Sequence, residues 1–218
     1  MFITDNLNPS TALVKAVHHY YPVGFYMSNV QYEGFQELQE ILLSKHNNVS
    51  RNSMPDDIKK LGEKLKSHFS HLPVHFEDYK QFPSYSIVIE LGHHHHDGVQ
   101  HLLRLVIKIS LLVNYYTIYF EDIIKYNHLR YGLGPVNTTV VSFQMQREKD
   151  HAQHVNAVEG FLKECFPDYF FVAHELLFAL KIKYGNLIDE ELETANQTKA
   201  IFSFLFDNVI HAGLLVVE

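Results

Sequence analysis

The stretch ELGHHHHDGVQH, Glu90 to His101, sets four histidines in a row. Imidazole ligates zinc, nickel and copper, but a closed structural zinc site takes four ligands and a catalytic one three plus water. Side chains of adjacent residues diverge in an extended chain, so only His93 with His95, or His94 with His96, would converge. Such a pair needs a further ligand, and His101, Asp97 or a histidine on a helix could supply it. A second set lies in EKDHAQH, where Glu148, His151 and His154 stand at i, i+3 and i+6. His151 and His154 are neighbours on a helix surface, and Glu-x-x-His is half of a di-iron carboxylate pattern. No matching second motif lies in a suitable helix. The metal candidates are therefore His93, His95, His101, Glu148, His151 and His154, with zinc or nickel the ion they would take. The plainer expectation is a solvated histidine loop, two histidines bordering an amphipathic helix, and no cofactor.

Other chemistry-bearing patterns are weaker. His174-Glu175 opens like the metalloprotease motif His-Glu-x-x-His, but position 178 is Phe, so a buried histidine hydrogen-bonded to a carboxylate is expected instead. Cys165, the single cysteine, sits beside Glu164, whose charge raises a thiol pKa and lowers its reactivity. YGLGP, Tyr131 to Pro135, is no phosphate loop, and the chain has no GxxxxGK[ST], GxGxxG or Gly-x-Ser-x-Gly. Sixteen histidines accompany a formal net charge of −7, so full protonation on acidification would invert the sign of the molecule. Lys and Arg are scattered without a basic stripe, which argues against a nucleic-acid partner.

Positioning these residues falls to elements of three kinds. The first third, to about residue 80, reads as helical. STALVKAVHHYY has Ser10 as its expected N-cap, a second helix runs from about Tyr32 to Lys45, and KHNNVSRNSMP is expected as a polar loop. A third helix begins near Pro55, with Ile58, Leu61, Leu65 and Phe69 as its apolar stripe. From about 84 to 146 the period changes to two: SYSIVIEL, HLLRLVIKIS, YTIYFED and TTVVSFQMQ are four candidate strands. Each alternates apolar with polar residues, which favours an antiparallel sheet buried on one face. From about 148 the chain returns to helix through Pro167, while Tyr169–Leu180 and the run near 199–210 are too apolar for periodicity to choose helix or strand.

Register constrains two hairpins. A two-residue turn at Val113-Asn114 would pair Leu111 with Tyr116, Ile109 with Ile118 and Ile107 with Phe120, with apolar faces in agreement. A clean turn at Asp97-Gly98 would instead pair Ile89 with Val106 and Ile87 with Lys108, placing the wrong side chains in the core. Either a bulge restores parity or the segment from Gly92 to Gln100 protrudes as a loop, and both readings take the histidines out of the regular ladder. With Ile118 and Phe120 inward, Tyr115, Thr117, Tyr119 and Glu121 lie on the opposite face, which is either an interaction surface or a second small core under a helix.

The 218 residues, 46% hydrophobic and 20% charged, fit one α+β domain, with an antiparallel sheet packed against N-terminal and C-terminal helices. One cysteine, no secretory leader pattern and no apolar run of membrane-spanning length suggest a soluble, cytoplasmic protein. Recognisable catalytic spacing is absent. The composition favours a non-catalytic interaction protein, of adaptor or immunity-like type, with a protein partner. The alternative is a transition-metal-binding protein built on the histidine run.

Overall fold

The computed structural model describes residues 8–24, 32–51, 53–77, 82–96, 98–126, 136–142, 149–185, 187 and 198–207. The fold is α+β, as the sequence indicates. Helices α1 (Pro9–Tyr20), α2 (Glu33–Ser50) and α3 (Asp56–His68) come first. Strands β1 (Val74–Phe76), β2 (Ser84–His96), β3 (Val99–Ser110), β4 (Tyr115–Tyr126) and β5 (Val136–Ser142) follow as an antiparallel meander in spatial order β1-β2-β3-β4-β5. Helix α4 (Ala152–Cys165) leads to β6 (Phe170–Phe171), which pairs in parallel with the start of β4. The short helix α5 (His174–Ala179), the hairpin of β7 (Lys181–Lys183) with β8 (Thr198–Ala200), and α6 (Ile201–Leu205) close the described chain. Among the described residues no helix is long and apolar enough to cross a membrane.

Local sequence explains most of the helical boundaries, with three differences. Helix α1 is capped by Asn8, whose side chain accepts a hydrogen bond from the Ser10 N–H at 3.1 Å, so Ser10 lies inside the helix that it was expected to cap. Helix α2 runs through His46–Ser50, part of the stretch that reads as a polar loop. It is held there by Lys45, a buried cation that donates to the carbonyls of Phe82 and Ser84 at 3.0 and 2.5 Å. The two ambiguous apolar runs are both divided: 169–180 gives a two-residue strand followed by a six-residue helix, and 198–205 a three-residue strand followed by a five-residue helix.

Both turn readings are refined. β3 and β4 pair Ile109 with Tyr116, Ile107 with Ile118 and Leu105 with Phe120. That register is two residues from the expected one, so the connection is four residues long and the face parity survives. Between β2 and β3 the bulge reading holds. An irregularity between Glu90 and Gly92 lets Ile89 meet Leu105 and Ile87 meet Ile107, while His96 still pairs with Val99. Gly98 in the connection adopts φ +77°, a conformation that glycine enters without Cβ strain. The histidines therefore remain in the ladder, contrary to expectation, with His93 opposite Leu102, His94 opposite His101 and His95 opposite Gln100.

The largest departure concerns the faces of the sheet. Its aliphatic face presents Tyr85, Ile87, Ile89, Leu105, Ile107, Ile109, Ile118 and Phe120 to α3 and α4, through Ile58, Leu61, Leu65, Val158 and Leu162. The mixed face carries Val88, Val106 and Tyr119 against α1, α2 and the segment from Ala200 to Phe206. Alternation favours a sheet buried on one side, with a second small core under a helix as one of two readings of the Tyr face, and the sheet is buried on both sides.

Candidate functional site

The register between His96 and Val99, kept as far back as the bulge at Leu91, decides which histidines share a side. Beyond the bulge, cross-strand rows on the aliphatic face run Gly92–Leu103–Asp122, then His94–His101–Ile124, then His96–Val99. His93 and His95 stand with Leu102 and Gln100 on the opposite face. The expected set of His93, His95 and His101 is thus split across the sheet. The structure instead brings His94 together with His101, their ring centroids 6.3 Å apart and 28° from parallel. His101 Nε2 lies 2.7 Å from Asp122 Oδ1, and Asp122 is nearly buried. A carboxylate can only accept, so the proton of this hydrogen bond resides on Nε2 and Nδ1 is the ring nitrogen turned away from the carboxylate. Asp97 and Glu148 lie outside the described residues.

His151 and His154 fall on that same side of the sheet, at the start of α4. Their rings stack at 5.6 Å, His151 lies 5.7 Å from the Phe120 ring, and His154 lies 5.5 Å from the Phe69 ring. Burial, reinforced by His151, His71 and His68, lowers the His154 pKa. Its Nδ1 is buried and has no hydrogen-bond partner among the described residues. Among the described residues no three His, Cys, Asp or Glu side chains stand ready to enclose a metal ion.

The face carrying Tyr115, Thr117, Tyr119 and Glu121 is an inner layer. Thr117, Tyr119 and Glu121 are buried, and only Tyr115 keeps partial exposure. Arg104 donates twice to Glu77, at 2.7 and 2.9 Å, and approaches Glu121 Oε2 to 2.7 Å. Lys108 pairs with Asp207, both buried, and the hydroxyls of Ser84 and Ser110 donate to the carbonyls of Phe206 and Leu205 at 2.8 Å. Burial lifts the Glu121 carboxyl above its ordinary range, with Arg104 opposing. His174 stacks on Tyr119 at 4.0 Å between Phe178 and Phe202, and burial, with Lys108, holds its imidazole well below its usual pKa. The Lys108–Asp207 pair fastens the C-terminal layer to the sheet, while the Thr117 hydroxyl is buried without a hydrogen-bond partner among the described residues. Cys165 is buried with a raised thiol pKa, as expected from its setting.

Exposed aromatic surface gathers elsewhere, on β6. Phe170 and Phe171 are 63% and 47% exposed, and they adjoin Tyr115 and Tyr116 at ring distances of 6.3 and 5.9 Å. The Phe170 N–H donates to the Asn114 carbonyl and the Val172 N–H to the Tyr116 carbonyl, both at 2.9 Å. Ladder alternation then turns the N–H and C=O of Phe171 away from β4, as at a sheet edge. Comparison with protein-family models, curated proteins and solved structures gives no match. The geometry of this chain is accordingly the whole basis for a functional reading. Sequence periodicity missed the aromatic pair by treating 169–180 as one buried run. The overlooked signal is adjacency: two consecutive phenylalanines in an extended segment project to opposite sides.

Proposed function

We propose that this protein is a non-catalytic interaction domain that receives a protein partner along the aromatic edge formed by Tyr115, Tyr169, Phe170 and Phe171. The observation that carries the reading is the exposure of both Phe170 and Phe171, on the two sides of a two-residue edge strand. Scattered exposed apolar residues are ordinary, but paired aromatic side chains beside outward-facing strand amides suit an extended partner segment. Phenylalanine and tyrosine anchors at an interface centre carry most of the binding energy in complexes of this kind. The buried ionic groups of the mixed face support a non-catalytic reading, because Arg104, Glu77, Glu121, Lys108 and Asp207 are engaged with one another.

The test places a photoreactive phenylalanine analogue at 170 and, separately, at Leu43, an exposed apolar position on α2. Crosslinking proceeds in cells that make the protein natively. A discrete adduct is expected from position 170 and not from 43, and Tyr115→Ser should suppress it. Equal adducts from both positions, or none from 170, would overturn the reading.

A further inference from the structure

We propose that His94 and His101 form a binding site for a divalent transition-metal ion of the zinc class, with Asp122 as the positioning carboxylate. The proposal is independent of the aromatic edge.

Three observations converge on it. His94 and His101 are direct cross-strand partners on one face, in the register that also pairs His96 with Val99. The two rings also lean the same way along the sheet. His101 reaches back by one row to Asp122, and His94 lies back over Gly92, where an added Cβ would stand 3.6 Å from His94 Nε2. Gly92 and Asp122 belong to the same row, with Leu103 between them. Finally, Asp122 orients His101. Its acceptance of the Nε2 proton leaves Nδ1 as the ring nitrogen turned away from the carboxylate and available to ligate, and a carboxylate hydrogen-bonded to the far nitrogen is the common way of orienting and strengthening a ligating histidine. Asp122 is nearly buried, so this orientation is built into the sheet and does not depend on a solvated side chain.

Two imidazoles make an open site, whose other positions fall to water or to a side chain of a bound partner. Neutral nitrogen donors suit zinc, nickel and copper rather than calcium or magnesium. His96 stands on the same face two residues from His94, whereas His93 and His95 point away from it. Four consecutive histidines can also chelate metal without any help from the fold, and the two faces separate these cases.

The experiment is equilibrium dialysis of the untagged full chain against Zn2+, read by mass spectrometry of the metal. The variants are His94→Ala, His101→Ala, Asp122→Asn and the double change His93→Ala with His95→Ala. One saturable ion per chain is expected. His94→Ala and His101→Ala should each abolish it, Asp122→Asn should weaken it by about 10- to 100-fold, and the double change should leave it within about twofold. Loss in the double variant equal to that in His94→Ala would overturn the proposal, as would the absence of a saturable ion. Imidazole 15N spectra of the unaltered chain give a second reading that requires no variant to fold. Zn2+ should shift the His101 Nδ1 and His94 resonances and spare those of His93 and His95, and a uniform response of all of them would contradict the site.

Discussion

On one side of β3 stand Leu103, Leu105, Ile107 and Ile109, and on the other Arg104, Val106, Lys108 and Ser110. The first set packs against α3 and α4 in a cluster of apolar side chains. The second packs against the C-terminal layer through Val106 and through ions and hydroxyls that find partners there. Alternation of residue type thus distinguishes two chemistries of burial, where a half-exposed sheet would be the usual inference. Apolar surface supports its side wherever a complementary surface lands, within wide tolerance. A buried ion supports its side only if the partner is present, because an orphaned charge costs several kcal/mol.

The sharpest way to break the comparison is to remove one ion. Lys108→Ala or Asp207→Ala alone should destabilise the fold by about 3–5 kcal/mol, measured by denaturant unfolding. Changing both to apolar residues of similar volume should restore most of that loss. If both single changes cost little, the mixed face is wet and the contrast fails. On the aliphatic face, Ile107→Ala should cost about 2–5 kcal/mol through its cavity, with no partner change able to rescue it. Gly62→Ala tests the fit of the same side, since its Cβ would fall 2.3 Å from Phe76 Cζ. Such overpacking should cost about 1–3 kcal/mol.

Acid should bear on the faces through their buried imidazoles. His174, lowered by burial and then by Lys108, stays neutral in the folded chain, whereas the unfolded chain protonates near the usual value of about 6.5. Its contribution is therefore complete above about pH 6.5, and as pH falls below that the unfolded state binds the extra proton and stability declines. The slope is at most about 1.4 kcal/mol per pH unit for one group. His154, lowered by burial and by its histidine neighbours, acts in the same direction from the aliphatic side. His174→Gln should reduce the slope of unfolding free energy against pH between about 6.5 and 5, and an unchanged slope would show that the mixed face takes up its protons elsewhere. Smallest of all, Phe170→Ser should leave stability within about 0.5 kcal/mol, since its side chain is mostly in water. A larger loss would make β6 part of the core.

Much of this architecture was legible because it is local. The stripe of Ile58, Leu61, Leu65 and Phe69 declares α3, and parity called for either a bulge or a protruding loop, of which the Glu90–Gly92 irregularity supplies the bulge. A second small core under a helix was one of the two readings of the Tyr face, but its charged fastener was not legible, because Asp207, which holds Lys108, lies 99 residues away, and no periodicity in β3 announces it. The candidate metal set went astray for a different reason: reading the histidines as lying outside the ladder left unused the register between His96 and Val99, which sets His94 opposite His101 and puts His93 and His95 on the other face. Tyr115 was the one member of the expected Tyr face to remain partly exposed, because β6 covers only one side of the start of β4.

The account turns on which aromatic side chains meet water, and hydroxyl-radical footprinting of the native full chain, read by mass spectrometry, measures that directly. Phe170, Phe171 and Tyr184 should oxidise readily, while Tyr119 and Phe202, both buried in the mixed-face core, should stay protected until the protein unfolds. Oxidation of Tyr119 as fast as Tyr184 in the folded state would contradict the second core, and protection of Phe170 and Phe171 would remove the interaction surface.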